Sequence, residues 1–411
     1  MWLVSRETAR LDPATTRIDP VGARELKTGR FEGDDTMDAA LRDVLDGFDR
    51  RDWQAADPGD GPVRLAMVGI GWWTREQAIP AVEASELCVT TVAVSGHRGK
   101  AEAVVDDVAT VEAGVTYEEF VAGEAADAYD AAYVCTPNAR HLPYVRAAAD
   151  HGKDVLCEKP MEASAERAEA MVEACDDAGV RLMVGYRMQT EPAIRRAREL
   201  VRAGLVGEPV HVTGHNAQPL LEMIPDHDQW RLDPDLAGPG TSVTDLGVYP
   251  INTARFVLDA EPVAVSATMH SSAEGFERVP DERASFEVEY AGGDGTVRTD
   301  GPGEKRVLGS FAASQNAARS SRFSVVGTEG AVTLEPAFAM EPRRTLTVAR
   351  GDASAEVAFE PANQMTEEFD YFADRVLTGR EVGPDGAHGL VDVRTIEAVY
   401  EAAATGERVE V

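Results

Sequence analysis

Lysine is scarce in this chain: only Lys27, Lys100, Lys153, Lys159 and Lys305 stand among its 40 basic residues, against 72 acidic ones, and the net charge is −32. A surface of that sign repels phosphate backbones and anionic membranes, so nucleic acid and lipid surfaces are not expected partners. Cysteine is scarce too. Cys88, Cys135, Cys157 and Cys175 show neither metal-ligand spacing nor a disulfide framework, so buried reduced thiols are expected and a metal is not. There is no run of 18 apolar residues, and the opening MWLVSRETARLDP has a short apolar patch without a cleavage site, so a cytoplasmic protein is expected.

What is present argues for a folded, two-domain protein. Apolar residues make up 44% of the 411, the acids are spread along the chain rather than gathered in a tail, and the length exceeds what one core usually serves. Excess Asp and Glu with Arg in place of Lys is similar to halophilic proteins, whose self-repelling surfaces rely on screening by salt. Residues 1–36 lack periodicity and read as a loosely packed arm; Met37 heads a helical pattern, MDAALRDVLDGF, and DPGDGP at 57–62 reads as a linker. The expected division is an arm and linker over 1–61, a nucleotide-binding domain over 62–186 and a second domain over 187–411.

From residue 63 strand and helix patterns alternate: VRLAMVG, VTTVAVSG, AAYVCTPN, DVLCEKP and RLMVGY, with helices near 74–85, 99–107, 139–151 and 164–178 between them. This alternation predicts a doubly wound parallel sheet of the Rossmann type. After about residue 208 strands follow one another, from PVHVTGHN through TVRTDG to AEVAFEP, with helices near 242–258, 363–378 and 387–404. The second domain therefore reads as α+β, an open and mostly antiparallel sheet with helices on one face. Its other face needs a cover, which predicts a homodimer or homotetramer.

In such a fold ligands bind beyond the carboxyl ends of the parallel strands, and four polar loops fall there. In GIGWW, Gly69 permits the tight turn, Gly71 lets the backbone approach a pyrophosphate, and Thr74 stands at the usual third small position. In SGHRGK the acid that would hold a ribose 2′-hydroxyl is missing. Ser95, Gly96, His97, Arg98 and Lys100 suit a 2′-phosphate instead, hence NADP; a basic surface loop is the alternative. In CTPNARH, Thr136 and Asn138 are suited to ribose or nicotinamide and Pro137 shapes the turn, unless the segment is only an Asx turn. Glu158-Lys159-Pro160 puts a charged pair at the edge of the site, with proline restricting the backbone.

GIG, TPN followed by His141, EKP and the strand-rich second half together resemble the glucose-fructose oxidoreductase / inositol dehydrogenase family over about residues 62–405. The stretch WRLDPDLAGPGTSVTDLGVYPINTARFVL, residues 230–258, is similar to its pyranose- and dihydrodiol-oxidising branch. The resemblance implies NADP-dependent oxidation of an aldopyranose, D-xylose before others, at C1 to the aldonolactone. It implies Lys159 as the EKP lysine, faced by Asp245 and Tyr249, with Tyr249 as base; these two are four apart and share a helix face. Much of the family has histidine at Tyr249 and aspartate at Asn252, which argues against inositol as substrate.

The resemblance also places Gly69, Gly71, Trp72, Trp73, Thr136, Pro137, Asn138, His141, Glu158 and Arg187 at the cofactor, and Trp230 and Arg231 at the substrate. Ser242-x-x-Asp245 could instead be a capping box, and Tyr249 a core phenol beside a helix-disfavouring Pro250. A phenol ionises near pH 10, too high for a base at neutral pH unless cations stand nearby; Lys159 and an oxidised nicotinamide are the expected ones. Glucose-fructose oxidoreductase or dihydrodiol dehydrogenase activity, or a non-catalytic NADP-sensing regulator, are the alternatives.

Overall fold

The computed structural model describes residues 48–292, 306–340 and 343–411. The readings of residues 1–36 as an arm, of Met37 as the head of a helix, and of TVRTDG as a strand lie outside these residues.

The first sheet has six parallel strands, β1 (Val63–Val68), β2 (Cys88–Ser95), β3 (Ala113–Thr116), β4 (Ala131–Val134), β5 (Asp154–Glu158) and β6 (Leu182–Gly185), in the order β3-β2-β1-β4-β5-β6. The chain order reverses between β1 and β4, the point where a doubly wound sheet opens a crevice. All four residues of β4 and β6 are buried, as expected of strands covered on both faces. The edge strand β3, AGVT, is an element the sequence reading lacks. Two of its four residues are small and only Val115 is buried, so no apolar run marks it.

The second sheet comprises β7 (Pro209–Pro219), β8 (Ala260–His270), β9 (Arg283–Gly292), β10 (Arg306–Ser314), β11 (Asn316–Gly327), β12 (Gly330–Glu335), β13 (Arg344–Arg350), β14 (Ala353–Phe359) and β15 (Val409–Glu410). Their order is β14-β13-β12-β11-β7-β10-β9-β8-β15, and every pairing is antiparallel except β7 with β10. The alternation in β9 shows how it is covered: Ala284, Phe286, Val288 and Tyr290 are buried, while Arg283, Ser285 and Glu287 face outward.

Helices Pro192–Arg202, Val248–Leu258 and Gly386–Thr405 pack on the covered face. The first was not foreseen, although Glu191 caps it by accepting from the Ile194 N–H at 3.0 Å and Pro192 occupies its first turn. Helix Gln364–Thr378 returns to the parallel sheet, where Phe369 and Phe372 share a core with Leu65, Met67 and Tyr133. Residues ahead of β1 dock on it: Trp53 is buried edge-on to Tyr371 at 5.3 Å, and Asp374 Oδ1 accepts from the Ala56 N–H at 2.7 Å. Among the described residues no helix is long and apolar enough to cross a membrane.

Candidate active site

Two helices begin at the site with a π turn, and each carries a proline soon after it. In Thr74–Ala78 the Ile79 N–H reaches back to Thr74 O, with Pro80 following. In Val243–Gly247 the Val248 N–H reaches Val243 O, with Pro250 following. A proline ring clashes with the carbonyl four residues back, and widening the preceding turn relieves this, so the helix runs on through Tyr249 and Pro250.

At the first of these helices the glycine turn has the shape a pyrophosphate needs. Gly69 has φ +103°, and a Cβ there would meet Cys135 O at 2.2 Å; at Gly71 a Cβ would meet nothing within 4 Å. Buried Thr74 closes the turn by donating from Oγ1 to Gly69 O at 2.6 Å. Trp72 is two-thirds exposed above it, and Trp73 Nε1 donates to Glu158 Oε1 at 3.1 Å. Across the crevice the Thr136 hydroxyl is buried with no hydrogen-bond partner among the described residues, and Pro137 precedes the short turn Asn138–Arg140.

After β2, Gly96, His97, Arg98 and Lys100 are exposed, while Ser95 is buried with its Oγ accepting from the His97 N–H at 3.3 Å. Arg98 is already engaged: it pairs with Glu119 and donates to Gly114 O at 3.3 Å.

Two residues expected at the cofactor make hydrogen bonds inside the protein. Asn138 Nδ2 donates to Ala237 O at 2.8 Å, tying the loop after β4 to the helix Pro234–Ala237. His141 is fully buried, with its ring nitrogens 3.0 and 2.9 Å from the carbonyls of Met161 and Thr136. His141 thereby joins the loops after β4 and β5.

Lys159, in a cis peptide with Pro160, meets the second helix. Its Nζ lies 2.9 Å from Asp245 Oδ1, 3.1 Å from Asp245 O and 4.8 Å from the Tyr249 ring centre. Arg231 Nε, its guanidinium 4.5 Å from the Trp230 ring, and Gln315 Nε2 reach Asp245 Oδ2 at 3.2 and 2.9 Å. Burial disfavours the Lys159 ammonium, but Asp245, Tyr249 and Glu158 outweigh it and raise its pKa. Burial likewise opposes the Asp245 charge, and Lys159 and Arg231 more than offset it, holding the carboxyl well below its usual range.

Asp245 is thus a charge partner and does not act in a capping box. Ser242 Oγ donates to Glu282 O at 2.9 Å and accepts from Gln315 N at 3.0 Å; the helix start is held instead by Asp281, which accepts from the N–H groups of Thr241 and Val243, both at 2.8 Å.

The phenol's closest cation differs from the expected one. Arg187 donates to Tyr249 Oη from Nε and Nη2, at 3.2 and 2.9 Å, whereas Lys159 lies over the ring face. Arg187 is 7% exposed and is held by Gln364 Oε1 and, at 3.1 Å, by Phe338 O, so it lies behind the tyrosine rather than in the open crevice. Gln315 and Gln364 are partners the sequence reading missed, and no local spacing marks either. Two surface cavities, of about 590 and 390 Å³, lie elsewhere, one lined by Arg146 and Asp177 and one by Arg195 and Phe256.

Comparison with known proteins also finds a Rossmann domain followed by a second domain of one oxidoreductase family. Residues 63–186 match the model of an oxidoreductase family with an NAD-binding Rossmann fold, and residues 194–333 match the GFO/IDH/MocA C-terminal domain. The chain belongs to the GFO/IDH/MocA oxidoreductase family. Among similar members, the D-xylose 1-dehydrogenase [NADP(+)] of Haloarcula marismortui is 53% identical over 87% of this chain and 96% of its own. The D-xylose 1-dehydrogenase (NADP(+)) 2 of Haloferax volcanii is 35% identical over 84% and 98%. A solved member, the aldose-aldose oxidoreductase of Caulobacter crescentus complexed with glycerol, superposes with a TM-score of 0.76 at 31% identity, covering 85% of this chain and all of its own.

Proposed function

We propose that this chain is an NADP-dependent sugar 1-dehydrogenase that oxidises an aldopyranose at C1 to the aldonolactone, with D-xylose as first substrate. The carrying observation is the convergence of Lys159, Asp245, Tyr249 and Arg187 at the carboxyl ends of β5 and β6, beside the Gly69–Gly71 turn. The names of the two haloarchaeal relatives supply the substrate and the cofactor.

The residues fit NADP. Gly69 and the open space at Gly71 make room for a pyrophosphate, the unpartnered Thr136 hydroxyl awaits an acceptor or donor, and Arg98 and Lys100 supply positive charge for a 2′-phosphate. When bound, NADP supplies the hydride acceptor. Tyr249 takes the proton of the C1 hydroxyl. The Arg187 guanidinium stabilises the charge on the phenolic oxygen and, with Phe338 O and Gln364, fixes its position. Lys159 orients the sugar hydroxyl, itself oriented by Asp245, which Arg231 and Gln315 hold from the other side.

The test is NADP reduction with a panel of aldoses in molar KCl. Turnover with pentoses is expected; binding of NADP without turnover of any aldose would favour a regulatory protein on the same fold. The reading includes a cytoplasmic location, in keeping with four free thiols.

It also includes a second copy of the chain on the open face of the second sheet. There Leu308, His211 and Val326 stand in register on neighbouring strands, and Leu308 is 55% exposed. Sedimentation in molar salt should show an oligomer that Leu308→Asp weakens, and a wild-type monomer would remove this part of the reading.

A further inference from the structure

Glu368 lies in the first turns of helix Gln364–Thr378, is 1% exposed, and has no hydrogen-bond partner at either carboxyl oxygen among the described residues. Its surroundings are those of the site. Gln364, four residues before it and so on the same helix face, accepts from Arg187. Phe369, next after it, packs edge-on to Tyr133 at 5.0 Å, and the Tyr133 hydroxyl donates to Glu158 Oε1 at 2.8 Å. The charged groups acting on Glu368 are Glu158, Arg187 and Lys159.

Two carboxyl groups in one dry region cannot both carry charge cheaply, and hydrogen-bond donors decide which does. Glu158 accepts from Trp73 Nε1 at 3.1 Å, from the Tyr133 hydroxyl at 2.8 Å and, at Oε2, from its neighbour Lys159 N at 3.1 Å. Glu368 accepts from none. Glu368, buried without a donor among the described residues, therefore keeps the proton. Burial, with Glu158 adding to it, pushes the Glu368 acid well above the carboxylate range, and Arg187 and Lys159 offset this only in part.

Given the NADP site proposed above, on which this inference rests, we propose that Glu368 is a proton-holding residue coupled to the charge of the nicotinamide ring. It is a neutral acid in the free protein. It releases its proton to solvent when the positively charged oxidised ring is held beside Glu158 and Lys159. It is neutral again once hydride from C1 has removed that ring charge. The balance closes: the C1 hydroxyl loses a proton to Tyr249 and C1 gives hydride to the ring. Tyr249 returns that proton to solvent and the Glu368 carboxylate takes one back, so the single proton each oxidation owes to solvent leaves, in net, at cofactor binding and not at the chemical step. Glu368 acts through the charge balance at Lys159 and Arg187, and is a positioning residue in that sense.

Infrared spectra test this directly. The free protein in molar KCl should show the carbonyl stretch of a protonated carboxylic acid that Glu368→Gln removes. Adding NADP⁺ should bleach that band, and adding NADPH should leave it. With a pH indicator in weak buffer, NADP⁺ binding should release close to one more proton per chain in the wild type than in Glu368→Gln. Binding itself is followed separately by tryptophan quenching, since Trp72 and Trp73 flank the glycine turn. If NADP⁺ binds while the acid band stays, or if both proteins release equal protons, the inference is wrong. If NADP⁺ does not bind at all, the functional reading fails and takes this one with it. The wild-type band change needs no variant, so a poorly folding Glu368→Gln would not shield the idea.

Discussion

Arg187 and Tyr249 stand 62 positions apart in sequence, yet Nε and Nη2 of the one both donate to the phenolic oxygen of the other, at 3.2 and 2.9 Å. A guanidinium stays protonated at any working pH, so the oxygen always faces a fixed positive fork. Lysine in its place keeps the charge and loses the fork. Hydrogen bonds to charged groups contribute about 1.5–3 kcal/mol, so Arg187→Lys should lower kcat roughly ten- to hundredfold. Tyr249→Phe should lower it about 10² to 10⁴-fold with NADP affinity intact. The double variant should be little worse than Tyr249→Phe alone, because the arginine acts through that oxygen. Steady-state kinetics on the three proteins would expose a multiplicative loss, which would detach Arg187 from the phenol.

Asp245 accepts from three side chains, and its removal tests what holds Lys159. In Asp245→Asn the burial that disfavours the Lys159 ammonium is no longer outweighed by a carboxylate, so the lysine should lose its proton at lower pH and the alkaline limb of kcat/KM should move down. Stability gives a second readout with a definite sign. A carboxyl whose folded pKa is depressed stabilises the protein above its unfolded value, near 3.9, and that contribution is lost only as pH falls through the folded value. The variant should therefore have a lower Tm than wild type at neutral pH, with the gap closing only below about pH 4. An unchanged alkaline limb would mean that Lys159 is held by something else.

How much of this could be read from the sequence depended on range. The glycine turn and EKP declare themselves because strand, turn and ligand group are contiguous in the chain. The alternation from residue 63 carried the parallel sheet for the same reason. What escaped is either unmarked or distant. Strand β3 has no apolar run. Gln315 meets Asp245 across 70 positions and Gln364 meets Arg187 across 177, from elements whose local patterns say nothing of the partner. The carbonyl partners of Asn138 and His141 escaped because a polar side chain in a cleft loop looks the same in sequence whether it faces a ligand or a neighbouring carbonyl.

His388 gives a pH dependence with the opposite kind of group. Its Nε2 lies 2.8 Å from Asn252 Nδ2 and 3.1 Å from Gln189 Nε2, so it accepts, and the ring is neutral with its proton on the other nitrogen. Burial pushes its pKa down to about 4; Arg255 acts the same way and Asp392 opposes them. A base with a depressed folded pKa binds more protons when unfolded, so its contribution is complete above the unfolded value, near 6.5, and is lost as pH falls toward 4. The loss is on the order of 3 kcal/mol across that window. Denaturant titrations of His388→Gln should show a flatter dependence between those pH values, and an equally steep one would assign it to other groups.

The Arg98–Glu119 pair bears on cofactor choice, because the guanidinium expected to meet a 2′-phosphate is already engaged by a carboxylate and by Gly114 O. A phosphate arriving there must compete with Glu119, whose charge is also fixed by the Thr116 N–H at 2.8 Å, the largest cause of its lowered pKa. Two substitutions then pull in opposite directions. Arg98→Asp removes the phosphate's partner and adds a like charge, so NADP should weaken while NAD, which has no 2′-phosphate, changes little. Glu119→Gln frees the guanidinium and should tighten NADP without touching NAD. Charge-assisted hydrogen bonds contribute about 1.5–3 kcal/mol, which sets the first effect at roughly ten- to hundredfold in Kd and the second below it. Dissociation constants for both cofactors, measured by tryptophan quenching in one salt concentration, decide the matter. A Glu119→Gln protein that binds NADP more weakly would show that the carboxylate serves to aim Arg98 and does not compete for it. Equal losses of NADP and NAD in Arg98→Asp would move the phosphate site away from this loop.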